Sequence, residues 1–147
     1  MKIYVDENES PYFVEHVNRI YGSLGATLHT PQQEGLLGLK DIPLFEQLQA
    51  REFSGLITRD RQQLRRIDPE TNQSEADKLH ECGLHWIGHT APSAEGVDLI
   101  AELTALYLSN WSALIDRMRL LTSPSAMEIK RSSQAVVKAF PLRRERK

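Results

Sequence analysis

The chain has 147 residues, 40% of them hydrophobic, and a formal net charge of -2. This length suits a single compact domain, and one cysteine, Cys82, excludes an internal disulfide and favours a reducing compartment. No apolar run approaches the roughly 20 residues that span a bilayer, so we expect a cytoplasmic protein without a membrane segment.

The first elements combine a buried strand, a capped helix and a short second strand. Lys2–Val5 is rich in Ile, Tyr and Val, which is typical of a strand covered on both faces. Ser10 and Pro11 form an N-cap and a first helical residue, so we expect a helix over about residues 11–23. Punctuating glycines then indicate a strand over residues 26–30.

A second helix and a third strand follow. Asp41 is expected to cap a helix with helically spaced apolar residues. Residues 56–58 predict a strand that stops before Asp60, where a short helix with Leu64 and Ile67 inward is expected. Because strands alternate with helices, the chain predicts an α/β fold with a mainly parallel sheet.

The pattern continues with a helix near residues 75–83, a strand near 84–90 and a long helix after Ser93. The expected apolar face of the long helix is formed by Val97, Ile100, Leu103, Tyr107, Trp111, Leu114 and Met118. His85 and His89 stand in the predicted strand, where their spacing is poor metal-ligand geometry and favours a structural or surface role.

The C-terminal part has a different charge balance. Residues 123–147 hold seven Lys or Arg against two Glu, a local charge of +5 that leaves -7 for the rest. We therefore divide the chain into a domain over residues 1–122 and a basic extension over 123–147. Two apolar segments of this extension, "AMEIKRS" and "QAVVKAF", suit either a helix or an edge strand.

Three aspartates are expected at one edge of the predicted sheet. Asp6 and Asp60 end strands, and Asp41 precedes a helix, so all three should lie at the carboxyl edge, where α/β proteins bind ligands. Converging carboxylates require a cation, and their hard oxygen atoms favour Mg2+ or Mn2+. The alternative is ordinary: a loop residue at Asp6 and helix caps at the other two positions.

Three motifs, "YVDEN", "GLKD" and "LITRD", together resemble those of PIN-like domain proteins, relatives of VapC-type toxin ribonucleases. The resemblance covers about residues 1–90. It implies an α/β/α sandwich, a Mg2+ or Mn2+ site and endonucleolytic cleavage of RNA, with Asp6, Asp41 and Asp60 as catalytic metal ligands. It also implies an antitoxin that holds the enzyme inactive, and a homodimer.

Neighbouring residues are assigned supporting roles under this hypothesis. Glu7, Asn8 and Thr58 are candidates to support the ligands, and Arg59, Arg61 and Arg65 are candidates to contact RNA. Many relatives carry a further acid two residues after the "TRD" motif, where this chain has Gln62. A fourth carboxylate must then come from elsewhere, and Glu75 and Asp77 are the nearest in sequence.

Other functions remain open at this point. A PIN-like module without catalysis could bind RNA or a protein, and the loss of an acid at Gln62 favours it. A phosphotransfer enzyme of the haloacid dehalogenase-like kind and a receiver domain also place an Asp after the first strand. The enzyme requires a second Asp where this chain has Asn8, and the receiver requires a Lys, but no Lys stands at a convincing strand end. The aromatic residues Trp86, Tyr107 and Trp111 suit either the core or a protein interface.

Overall fold

The computed structural model describes residues 1–89, 95–130 and 136–143. Its strands are β1 (Lys2–Val5), β2 (Thr27–His29), β3 (Gly55–Thr58), β4 (His85–His89), β5 (Ser125–Lys130) and β6 (Val136–Pro141). Its helices are α1 (Pro11–Tyr21), α2 (Pro31–Glu34), α3 (Asp41–Ala50), α4 (Glu75–Glu81) and α5 (Gly96–Leu120), with a 3-10 helix at Arg61–Leu64.

All six strands form one sheet in the order β2-β1-β3-β4-β5-β6. The first five are parallel, and β6 pairs antiparallel with β5. The predicted α/β class with a mainly parallel sheet is therefore confirmed. The described parts of both segments that the sequence left open, residues 126–130 and 136–140, are strands, so the sheet continues beyond residue 122. The division at that residue stays a prediction, and Arg131 and residues 144–147 of the basic extension lie outside the described residues.

Helices cover both faces of the sheet because side chains alternate along each strand. One face packs against α1 and α5 through a core that includes Ile3, Val5, Leu28, Ile57, Ile87, Met127, Phe13, Leu103 and Trp111. The other face packs against α3 and α4 through a core that includes Tyr4, Leu56, Trp86, Ala126, Phe45, Leu48 and Leu79. Strands β1, β3, β4 and β5 thus contribute to both cores, whereas Leu28 of β2 and Val137 of β6 belong to the core against α1 and α5.

Local capping explains most helix starts and corrects one expectation. The Ser10 side chain accepts a hydrogen bond from the backbone N–H of Tyr12 and caps α1 as predicted. The prediction that Asp41 caps α3 is wrong, because Lys40 occupies the cap position and Asp41 is the first helical residue. The Asp41 carboxylate accepts a hydrogen bond from Arg66 instead of a backbone N–H.

Two predicted core positions are exposed. Ile67 is 59% exposed because the short helix after Asp60 ends at Leu64. Val97 is 80% exposed in the first turn of α5, and burial of this helix face is complete only from Leu103. The predicted apolar face therefore reaches too far at the C-terminal end of the short helix and at the N-terminal end of α5.

The three aromatic residues that suited either core or interface are buried. Trp86, Tyr107 and Trp111 are at most 3% exposed, which assigns them to the core. The Trp86 ring also lies across Gly88, where an added Cβ would come within 1.9 Å of the ring, so glycine is required there.

None of the helices in the described ranges is sufficiently long and apolar to cross a bilayer.

Candidate functional site

The candidate site lies where β1 and β3 end side by side. Chain connections from these strands lead to opposite sides of the sheet, and such a switch point leaves a crevice at the carboxyl ends. Asp6 follows β1 directly, and Asp60 lies two residues beyond the end of β3. Asp41 begins α3 and Glu75 begins α4, so these two helices supply further carboxylates near this edge.

A buried hydroxyl connects the two strand-end aspartates. Thr58, the last residue of β3, is fully buried. Its hydroxyl donates a hydrogen bond to Oδ2 of Asp6 at 2.9 Å and accepts one from the backbone N–H of Asp60 at 3.0 Å. The backbone N–H of Asp6 donates to the carbonyl of Ile57 at 2.9 Å. Both loops are therefore fixed relative to each other.

The surroundings of the Asp6 carboxyl oppose its ionisation. Burial raises its pKa, and the negative charge of Glu9 adds to this effect. The Thr58 hydroxyl and the backbone N–H groups of Glu7 and Asn8 act in the opposite direction, but the net direction is upward. Glu7 and Asn8 are thus placed to support Asp6, through their backbone rather than their side chains.

The remaining carboxylates surround one guanidinium group. Arg66 donates from Nη2 to Oδ2 of Asp60 at 2.8 Å and from Nη1 to Oδ2 of Asp41 at 3.2 Å. Its Nε lies 3.4 Å from Oε2 of Glu75. The other oxygen of Asp60 caps the 3-10 helix by accepting the backbone N–H of Gln62 at 3.1 Å. Two of the three predicted aspartates therefore meet, together with a glutamate.

Glu75 is the least satisfied member of this group. It is only 2% exposed, and neither of its carboxylate oxygens accepts a hydrogen bond from a donor in the described residues. Burial, together with the adjacent carboxyl of Asp41, raises the pKa of Glu75 to about 8. The acidic group therefore has less positive charge around it than its ionised form requires.

Glu75 and Asp77 are the candidates for a fourth carboxylate, and of these two only Glu75 lies in the cluster around Arg66. Asp77 instead lies 3.9 Å from Nε of Arg143. Glu75 stands on α4, and Gln62 stands on the 3-10 helix. The glutamate of the cluster therefore comes from a different element than Gln62.

The donor atoms suit a hard divalent cation, although no closed cage is present. Asp41, Asp60 and Glu75 offer only carboxylate oxygens, which Mg2+ and Mn2+ prefer. The orphaned buried oxygens of Glu75 are the observation that fits such an ion best. Within the described residues, no three His, Cys, Asp or Glu side chains are arranged to hold a metal ion, and Arg66 stands between the carboxylates.

A second polar network, which the sequence did not predict, lies beside the first. Glu9, in the loop after Asp6, is buried and forms a bidentate ion pair with Arg59 at 2.9 and 3.0 Å. Its Oε1 also lies 3.2 Å from Nε2 of His89, whose Nδ1 is 2.7 Å from the Tyr107 hydroxyl. Arg59, expected to contact RNA, is thus engaged in holding this loop.

The other two candidate RNA-binding arginines face a cleft. A depression of about 560 Å3 is lined by Arg61 and Arg65 together with Trp86, Glu128 and Phe140. Arg61 forms an ion pair with Glu128 across it. Because Arg61 follows Asp60 directly, this cleft adjoins the acidic edge.

The histidines have structural roles, as expected. His85 accepts a hydrogen bond from the backbone N–H of Ser125 at 3.0 Å, and burial lowers its pKa. His89 belongs to the network of Glu9 and Tyr107. Neither lies in the group of carboxylates around Arg66.

The fold and the site together define an α/β protein with an acidic crevice at the switch point of its sheet. Comparisons of the chain with protein-family models, with curated proteins and with solved structures give no match. The function is therefore argued from the site and from the three motifs.

Proposed function

We propose that the protein is a metal-dependent endoribonuclease of the PIN-like kind. The observation that carries this proposal is the convergence of acidic side chains at the sheet edge, where Glu75 is buried and its oxygens accept no hydrogen bond from the described residues. Burying carboxylates without a cation is costly, so the arrangement favours a divalent ion as part of the working site.

Under this proposal, four residues hold Mg2+ or Mn2+: Asp6, Asp41, Asp60 and Glu75. The bound ion would supply activation of water near neutral pH and charge neutralisation at a phosphodiester. Thr58 positions Asp6 and the Asp60 backbone through its two hydrogen bonds. The chain's own contribution is to fix Asp6 and Asp60 at the ends of two adjacent strands and Asp41 and Glu75 at the starts of α3 and α4.

RNA is the proposed substrate. Arg61 and Arg65 line the cleft beside the acidic edge, where their charges suit backbone phosphates. The same resemblance that suggests RNA also suggests a toxin regulated by an antitoxin, and a homodimer. A partner segment that covered the crevice would exclude RNA, which is how such regulation would act here.

Cleavage of an RNA oligonucleotide tests the proposal. We expect the wild type to cleave with Mn2+ and not with EDTA, and Asp60→Asn to lose about 100-fold because a charged ligand is removed. Asp116→Asn, an exposed position on α5, is the matched control and should retain activity. Equal rates for Asp60→Asn and wild type would contradict the proposal.

A second candidate function is a PIN-like module that binds RNA or a protein without cleaving. The observation that favours it is Arg66, which already forms ion pairs with Asp41 and Asp60. RNA binding that persists without cleavage, with or without Mn2+, would identify this case. Loss of binding in Arg61→Gln and Arg65→Gln would then assign the binding to the cleft.

A further inference from the structure

We propose that Arg66 is the resident counter-ion of the acidic site and that a divalent cation must displace its guanidinium in order to bind. This inference rests on the proposed function, because it concerns regulation of the same site. It adds that metal affinity is set by an intramolecular competitor.

The contacts of Arg66 are those expected of a stand-in cation. One guanidinium reaches Asp60 at 2.8 Å, Asp41 at 3.2 Å and Glu75 at 3.4 Å, through three different nitrogens. These carboxylates come from three different segments: α3, the loop after β3 and α4. Without the guanidinium they would repel one another across a partly buried space.

The guanidinium leaves Glu75 incompletely satisfied. Glu75 is 2% exposed, neither of its oxygens accepts a hydrogen bond from the described residues, and it faces the cluster at the Arg66 Nε and the Asp41 carboxyl. A planar cation of fixed geometry cannot saturate all the oxygens around it. A small divalent ion that draws carboxylates inward would satisfy them better.

Displacement requires movement of the side chain alone. The Arg66 side chain is 43% exposed, so the guanidinium can move into solvent. Its backbone is anchored separately: the N–H donates to the carbonyl of Gln62 at 2.9 Å, and its own carbonyl accepts the N–H of Glu75 at 3.0 Å. The loop can therefore keep its shape while the side chain leaves.

Arg65 provides a matched control. It is the preceding residue, carries the same charge and is exposed, but it lines the cleft and forms no ion pair with any residue in the described ranges. Removing its charge changes the long-range field almost as removal of Arg66 does. A difference between the two variants then reports the direct contacts.

The test is calorimetric titration of wild type, Arg66→Gln and Arg65→Gln with Mn2+. If the guanidinium competes with the ion, Arg66→Gln should bind Mn2+ about tenfold more tightly than the wild type, and Arg65→Gln should not. Arg66→Lys keeps a charge but loses the three-way fork, so it should fall between them and serves if the glutamine variant folds poorly.

The thermal midpoint in EDTA gives a second readout. We expect Arg66→Gln to melt lower than Arg65→Gln, because its carboxylates are left without a counter-ion, and Mn2+ to remove this difference. Equal melting of the two variants in EDTA would overturn the inference.

The outcomes separate the inference from the proposed function. Binding by the wild type with equal or weaker binding by Arg66→Gln would overturn the competition but leave the metal site standing. Binding only by Arg66→Gln would support the competition and contradict a metal-dependent wild-type enzyme. No binding by either protein would overturn both.

Discussion

Thr58 is the residue through which the two strand-end aspartates are connected. Its buried hydroxyl satisfies the Asp6 carboxylate and the Asp60 N–H at the same time. Buried groups that lose such a partner retain their desolvation cost without compensation. The two aspartates are therefore linked to each other through a single oxygen atom.

Replacement of this oxygen by a methyl group measures its contribution. Thr58→Val should lower the free energy of unfolding by about 1–3 kcal/mol, because a partly buried carboxylate and a partly buried N–H lose a partner. Thr58→Ser retains the hydroxyl and should lose less. Urea denaturation of the three proteins checks this, and equal losses for Val and Ser would contradict it.

At the level of single residues, the sequence predicts the charged residues that follow strands but few of the charged contacts made within loops. Asp6 and Asp60 could be placed because each follows an apolar run that stops abruptly. Glu9 and Arg66 could not, since an isolated charge in a loop has no period and its partner is distant in sequence. Arg66 was one of four nearby arginines, and only the folded chain distinguishes it by its contacts with Asp41, Asp60 and Glu75.

At the level of elements, the loop between β1 and α1 is held by a buried ion pair. Glu9 contacts Arg59 beyond the end of β3 and His89 at the end of β4. Burial alone would raise the pKa of Glu9, but His89 and Arg59 outweigh it and lower the pKa to about 2. The loop that carries Asp6 is thereby tied to two other strands.

This ion pair predicts a specific pH dependence. A carboxyl whose folded pKa lies below its unfolded pKa contributes stability above about pH 4.5, and this is lost as the pH falls toward 2. The contribution is about 3 kcal/mol. Urea unfolding between pH 6 and pH 3 should show a steeper loss for the wild type than for Glu9→Gln.

A second measurement uses only the wild type, so it tests the same ion pair even if the Glu9→Gln variant folds poorly. The side-chain carboxyl resonance of Glu9 in the wild type should remain that of an ionised group down to about pH 3, as the lowered pKa requires. A midpoint near the ordinary value of 4.5 would contradict the account of this loop.

The elements themselves follow from the sequence where local signals are strong. Strands β1 to β4 and the helices α1, α3, α4 and α5 lie where apolar period and punctuation predict them. Strands β5 and β6 were ambiguous because short mixed segments have no local preference. Pairing of β5 with β4, more than 30 residues earlier, decides their conformation.

At the scale of the whole molecule, the sheet order positions the site. Placing β1 between β2 and β3 creates the crevice at which Asp6 and Asp60 end their strands. Asp41 and Glu75 stand on two helices that cover one face of the sheet, and Arg66 forms ion pairs with both. We propose that this edge binds a divalent cation as part of an RNA-cleaving site.

The most direct test is titration of the wild type and Asp6→Asn with Mn2+ by calorimetry. Asp6 lies outside the contacts of Arg66, so its replacement leaves the resident ion pairs intact. We predict that the wild type binds Mn2+ and that Asp6→Asn binds at least about tenfold more weakly, because a charged ligand is lost. Equal affinity of the two proteins, or no binding by the wild type at millimolar Mn2+, would contradict the account.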